Sequence, residues 1–495
     1  MNTAHTLDQE TAAEREVSER KHDFRMLQLE LRNTKAATLI QPYALDFKQI
    51  QGLIGSETII LQYQLGSQRS FLWAITKGDD SPIVIDDLPG RVKIDGLVRE
   101  FRDAVTARGC HINNEASDER RKRIEDADRK YISAAARLSE TLLKPIASFL
   151  GSKQIIIVAD GSLQAVPFGA LPEPRAVSRV SRDRSRIVSK NDSPLMMKHE
   201  IVYLPSVTTL SELRSASSKR ELATKTVAAI ADPVFDLDDE RVKQNNATSR
   251  PALQKILSAR VEGSLRSSLS GPKCVTNEKF ERLPGTYDEA TKITNLIKDE
   301  KKKLLAHDFQ ASVETMRSSE LRDFKIIHVA THAFVPPDAP QQAKIVLSLV
   351  TERGEPQQGF FRLNDIYQLR LNAHLVTLSA CETALGEDIS GEGLVGLARG
   401  FMYAGVPRVT ASLWKVDDLA TSSLMSQFYS AILNEGLKPA AALRRSQIRM
   451  YQRKDEWNNP YYWAAFTFQG EWQWPAGEAG PANPKTTRVP RSIRR

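Results

Sequence analysis

Between Thr226 and Trp414 the chain repeatedly switches from short unbroken runs of β-branched and small apolar residues to stretches of helical periodicity. The runs are TVAAIAD (Thr226–Asp232), KIIHVATHA (Lys325–Ala333), HLVTLSAC (His374–Cys381) and RVTASLW (Arg408–Trp414). Continuous apolar character of this kind marks strands buried on both faces. Helical pattern covers Thr286 to about Lys303, then Gly393–Gly405, then LATSSLMSQFYSAILNEG up to Gly436, with Pro439 opening another helix. Strand–helix–strand order predicts an α/β fold, a mainly parallel sheet with helices on both faces. Ligands of such sheets bind beyond the carboxyl ends of the strands. Those ends are where chemistry is to be sought.

Upstream, Thr58–Gly78 (TIILQYQLGSQRSFLWAITKG) reads as a hairpin. Glu119–Leu150 reads as a long helix that Pro145 kinks, and QIIIVAD (Gln154–Asp160) as another buried strand. Residues Thr6–Lys35 read as one charged helix. The segment 175–198 is rich in Arg and Ser and has no apolar period, so it reads as a linker. Leu237–Arg282 reads as an insertion with a mobile surface, and the residues after Pro475 as a basic disordered tail. The expected divisions are therefore 1–35, 36–174, 175–198, 199–474 (with an insertion at 236–282) and 475–495. At 495 residues the chain is long for one ordinary domain.

The formal charge of +8 gathers largely in Arg175–Lys190 and the terminal RVPRSIRR, without interleaved aromatics. Solvated basic loops are the first reading, and contact with nucleic acid or an acidic partner through them the second. No apolar run approaches the ~20 residues that cross a bilayer, and the first residues are polar, so no membrane partner or secretory leader is expected. Cys110, Cys274 and Cys381 are too few for a disulfide framework and fit a reducing, cytoplasmic setting.

Two of the predicted strands run into reactive side chains, His332 and Cys381, 49 positions apart. If the strands are neighbours, thiol and imidazole meet at the rim of the sheet. That pairing is what thiol acyl transfer requires: the imidazole activates the nucleophile and later protonates the leaving amine. A His precedes its Cys by a similar ~50 residues in caspases. Alone, Cys381 would be read as a buried small hydrophobe. His328, four residues before His332, sits in a β-branched run and lacks the Glu of a zinc helix, so it reads as structural. Cys110 and Cys274 read as inert. GEGLVG (Gly391–Gly396), with Asp417 at dinucleotide-binding spacing, begins too far beyond its strand for that use. Gly396, Gly400 and Ala404 are better explained as a small-residue face that lets a helix approach the sheet. No metal or organic cofactor is implied. Asp417 and Asp418 could cap a helix, worth ~1 kcal/mol, or line a substrate pocket. Glu382, Glu387, Asp388 and Glu392 make the loop after Cys381 acidic. Either they form a merely solvated loop, or they favour a basic or neutral residue over aspartate in a bound peptide.

The blocks HVATHA, LSACETALGE, GEGLVGLARGFMYAGVPRVTASLWKVDD and NPYYWAAFTFQG resemble the CHAT family of caspase- and separase-like cysteine peptidases. VADGSLQAVPFGALP (Val158–Pro172), IVYLPSVTTLSELR (Ile201–Arg214), ADPVF (Ala231–Phe235) and LPGTYDEA (Leu283–Ala290) extend the resemblance from about Leu39 to Trp472. It implies a caspase-like three-layer sandwich in which a degenerate, non-catalytic half precedes a catalytic half. His332 and Cys381 are then the dyad of an endopeptidase, and backbone N–H groups near Cys381 and Ala333 bind the oxyanion. Family resemblance also suggests a bacterial regulatory enzyme with a protein substrate, held inactive until a protein or ligand activates it. Self-cleavage in the linker or the insertion is one route to activation. The alternative is a silent caspase-like scaffold. The chain departs from the family pattern twice. A TPR array of three ~34-residue repeats does not fit in the ~35 residues before the resemblance. Ala333 also stands where relatives place Gly, a position at which positive φ would be strained.

Overall fold

The computed structural model describes residues 45–110, 112, 115–174, 193–217, 221–243, 280–334, 342–382, 392–415 and 417–474. The helix expected over Thr6–Lys35, residues 175–192 of the 175–198 linker, the body of the insertion (244–279) and the tail lie outside them. Phe47–Arg495 form one compact unit, which holds every strand and helix named below.

Among the described residues, thirteen strands form a single sheet. They are β1 (Thr58–Gln64), β2 (Arg69–Thr76), β3 (Ile83–Pro89), β4 (Gln154–Val158), β5 (Ile201–Tyr203), β6 (Lys225–Pro233) and β7 (Lys303–Asp308). Then come β8 (Phe324–Phe334), β9 (Lys344–Val346), β10 (Phe360–Arg362), β11 (Leu375–Glu382), β12 (Arg408–Ser412) and β13 (Phe466–Gly470). The interior is mainly parallel: β1 pairs β4, β4 pairs β5, β5 pairs β13, β12 pairs β11, β11 pairs β8, β8 pairs β6 and β6 pairs β7, while β12 and β13 pair antiparallel at its centre. Antiparallel pairs lie mainly towards the margins, where β1–β2–β3 and β8–β9–β10 are meanders.

Helices cover both faces near the predicted strand ends. They are α1 (Arg91–Thr106), α2 (Ser117–Leu142), α3 (Pro284–Thr294), α4 (Glu392–Tyr403), α5 (Asp418–Leu433) and α6 (Pro439–Tyr451). Successive strand residues face opposite ways, and β8 shows the result. Ile327, Val329 and Ala333 join the large cluster with Leu397, Ala398 and Phe401 of α4. Ala330 instead meets Ala229, Ala231 and Ala290 of α3. Those alanines leave room for a close helix. Pro284 begins α3 and Pro439 begins α6, positions where a missing N–H costs nothing.

Several expectations need correction. The helix expected to about Lys303 ends at Thr294, and Lys303–Asp308 is an edge strand on β6. Charge at one margin of a strand is how edges are kept from pairing further, so its Lys-rich start misleads a periodicity reading. A Cβ on Gly400 would come within 2.8 Å of Leu363 Cδ1, a neighbouring helical segment rather than the sheet, and Gly396 faces open space. Cys110 is disulfide-bonded, against the expectation of an inert thiol.

Candidate active site

β8 and β11 are neighbours in register from Leu375↔Ile326 to Glu382↔Ala333, and Cys381 lies opposite His332. Residues in register across a parallel pair share a face of the sheet, so the two positions meet with no distortion of the fold. The backbones of Cys381 and Glu382 belong to β11, and their side chains lie outside the described residues, as do Glu387 and Asp388.

The edge of β8 changes partner at this point. β6 accompanies it as far as Ala231↔Ala330, and β9 takes over from His332↔Val346. β6 must therefore turn away, and Asp232 does so with φ +46°, an uncommon conformation outside glycine. Through the gap comes the segment Phe280–Leu283. The His332 ring sits between Phe235 and Phe280, with centroids 5.1 and 5.4 Å away, and the residue is 3% exposed. Its Nε2 lies 2.7 Å from the Glu281 carbonyl oxygen. A carbonyl only accepts, so Nε2 carries the hydrogen and donates. Nδ1 is then the lone-pair nitrogen, and among the described residues it has no partner. Burial holds the pKa of His332 down to about 4; Lys415 acts in the same direction and the Glu281 hydrogen bond against it. The imidazole is a neutral base at pH 7.

Below these two positions runs a buried polar belt. His328 Nε2 lies 2.9 Å from Glu289 Oε1, and its Nδ1 3.1 Å from the Tyr429 hydroxyl. Tyr429 donates to Thr377 Oγ1 at 2.8 Å. The Tyr429 proton is thus committed to Thr377, and Nδ1 of His328 donates to the Tyr429 oxygen. The belt fastens α3 and α5 to β8 and β11.

A small recess of about 10 Å³, room for little more than one water, lies on the same side, lined in part by Glu289, Ser379, Ser412, Asp418 and Thr421. Ser379 precedes Cys381 by two residues on β11. Asp417 caps α5 through Ala420 N–H at 2.9 Å, and its neighbour Asp418 faces the recess. Burial, with Glu289 and Asp417 close by, pushes Asp418 up to about 6. Gly285 permits this approach, since a Cβ there would fall 2.4 Å from Asp418 Cβ. Ala333 is an ordinary strand residue, in ladder with Glu382 on one side and Ile345 on the other. Sequence reasoning missed Glu281, Phe235, Phe280 and Glu289. The first acts through its backbone and the others through tertiary placement, so none leaves a motif.

Solved structures with this fold include the separase–securin complex of Saccharomyces cerevisiae, at TM-score 0.52 and 10% identity over 86% of this chain and 31% of that one. Gingipain R aligns over 77% of this chain and 75% of its own, at TM-score 0.33 and 10% identity. The architecture is caspase-like. Tetratricopeptide repeat protein 28 of Mus musculus is 38% identical over 106 residues, and that of Homo sapiens 33% over 106 residues. Those stretches cover 21% of this chain and 4% of the relatives, so the chain spans a small part of their length. The CHAT domain profile matches residues 133–471, more than half of the sequence, and the chain belongs to the CHAT domain family.

Proposed function

We propose that this chain is a cysteine endopeptidase that cuts a protein partner through a thioester formed on Cys381. The observation that carries the reading is the register of Cys381 with a His332 whose Nδ1 has no partner among the described residues. In the reaction, Nδ1 takes the thiol proton as sulfur attacks the scissile carbonyl. The same nitrogen then protonates the departing amine, and water hydrolyses the thioester. Oxyanion stabilisation falls to backbone N–H groups around Cys381. In support, the β11–β12 ladder ends at Leu378↔Ala411, before the last residues of β11. The second expected donor, Ala333, is flanked by ladder partners on both sides. The reaction balances with thiol, imidazole and water.

The recess at Ser379 and Asp418 lies where the side chain before the scissile bond would enter, and it must widen as the site opens to hold one. Its acidic lining favours a basic or neutral residue there. The near-complete burial of His332 beneath Phe235 and Phe280 supports a resting state that an activating protein or ligand opens. That burial equally favours a second reading, a caspase-like scaffold that keeps its dyad without using it. A thiol-directed probe read by peptide mass spectrometry separates the two. Labelling of Cys381 that His332→Ala abolishes supports the enzyme. Labelling indifferent to His332 supports the scaffold.

A further inference from the structure

Resting on the dyad reading above, we infer that Asp232 is a positioning residue for His332, acting through Arg282 on the Glu281 carbonyl. A histidine that must offer Nδ1 to a thiol needs its Nε2 proton pinned, and here a main-chain oxygen does that at 2.7 Å. A loop carbonyl holds a fixed position only if its neighbours are fixed. The adjacent residue, Arg282, places its guanidinium fork on Asp232, with Nε to Oδ1 at 3.2 Å and Nη2 to Oδ2 at 2.9 Å. Planar two-point pairing of this kind sets direction as well as distance.

Asp232 is itself held from every side. Its N–H donates to Thr286 Oγ1 at 3.0 Å, and Thr286 in turn donates to the Leu283 carbonyl at 2.7 Å. Its own carbonyl and Oδ2 take Arg241 Nη1 at 2.9 and 3.0 Å. Arg241 is locked in turn by Asp239 and Asp308, at 2.7 and 2.6 Å. Asp308, at the end of β7, is the only other described non-glycine residue with positive φ, at +51°. Two strained aspartates thus sit at the carboxyl ends of β6 and β7, tied by one arginine, with the second arginine reaching from them to the His332 clamp. Strain of this kind persists where the surroundings over-determine it, commonly beside functional sites. A purely structural ion cluster needs neither the fork on Arg282 nor the placement one residue from the carbonyl on Nε2. The charged groups acting directly on His332 are Lys415 and Glu281, not this pair. Its influence is geometric.

The test uses the full chain and the pH dependence of iodoacetamide alkylation at Cys381, read peptide by peptide, with His332→Ala as the baseline. Asp232→Asn and Arg282→Gln are each expected to lower the rate at pH 7 by about tenfold, a fraction of what a general base contributes. The double variant should be no slower than either single one, because both break one link. Opposite shifts from the two singles would identify a field effect and overturn the inference, since one substitution removes a negative charge and the other a positive one. Unchanged rates, or a rise in both, would overturn it too; a rise would assign the pair to shielding. If Asp232→Asn fails to fold, Arg282 carries the decision, being 37% exposed at its side chain. Arg282→Lys keeps the charge and loses the fork, so slowing supports positioning and a wild-type rate refutes it. Wild-type protein no faster than His332→Ala at any pH would remove the dyad reading itself, and this inference with it.

Discussion

Asp418 and Gly285 show how one backbone atom sets a side chain's chemistry. Burial beside Glu289 and Asp417 raises the Asp418 carboxyl to about 6 from an ordinary 3.8. Between those two values the folded protein holds a proton that the unfolded chain has released, so stability falls as pH rises through the window. At pH 7 the ionised group works against the fold. Asp418→Asn is therefore expected to raise the melting temperature at pH 7 by ~2 °C or more and to leave it unchanged near pH 3.5, followed by circular dichroism. His332 carries the opposite sign. Its folded pKa of about 4 lies below the ordinary 6.5, so the stability that its neutral burial allows is lost as pH falls through that interval. Gly285→Ala would force Asp418 out of the recess, because the added Cβ lies 2.4 Å from Asp418 Cβ. Overpacking of this sort costs roughly 1–3 kcal/mol, readable as a lower urea midpoint at constant slope.

At the level of strands and helices, the polar belt ties together the elements beneath the candidate site. His328, Tyr429, Thr377 and Glu289 come from four different elements. Tyr429→Phe would leave His328 Nδ1 buried without its acceptor, at a cost of about 1–3 kcal/mol. The belt lies below the dyad along β8 and β11, so the loss should appear in urea unfolding with the His332-dependent alkylation of Cys381 retained. A proportionate loss of alkylation would show instead that the belt sets the β8–β11 register. The same elements divide what the sequence discloses from what it conceals. β6, β8, β11 and β12 are legible because burial on both faces demands unbroken apolar runs. β9 and β10 have three residues each and β7 begins in a lysine run, so none offers a period to read. His332 and Cys381 are visible because their chemistry resides in side chains at strand ends. The Glu281 carbonyl is not, since every residue has one, and only the folded path of residues 280–283 brings it to Nε2.

Across the whole molecule, the sheet passes without interruption from the expected 36–174 segment to the expected 199–474 segment. The seam is the β4–β5 ladder, Ile155↔Ile201 through Ile157↔Tyr203. Side chains reinforce it over a wide span. Arg444 donates to the Met196 and Met197 carbonyls at 2.6 and 2.9 Å, on the β5 side. Arg102 of α1 donates to the Leu413 carbonyl at 3.2 Å, and Asn459 donates to Asp128 at 3.0 Å, both crossing between the two segments. Leu413 lies directly after β12, so α1 of the first segment braces the rim that carries the recess. The two segments should therefore open together rather than one by one. Ile156 is fully buried at the centre of β4, between Ile60 and Val202. Ile156→Ala removes three methyl or methylene carbons there and should cost about 2–5 kcal/mol. If the sheet is one cooperative unit, peptide-resolved hydrogen exchange will show β11 and β12 losing protection by the same free energy as β1 and β4. Loss confined to β1–β5 would mean that the segment bearing Cys381 folds independently, and that the first one is attached to it as a separable cover.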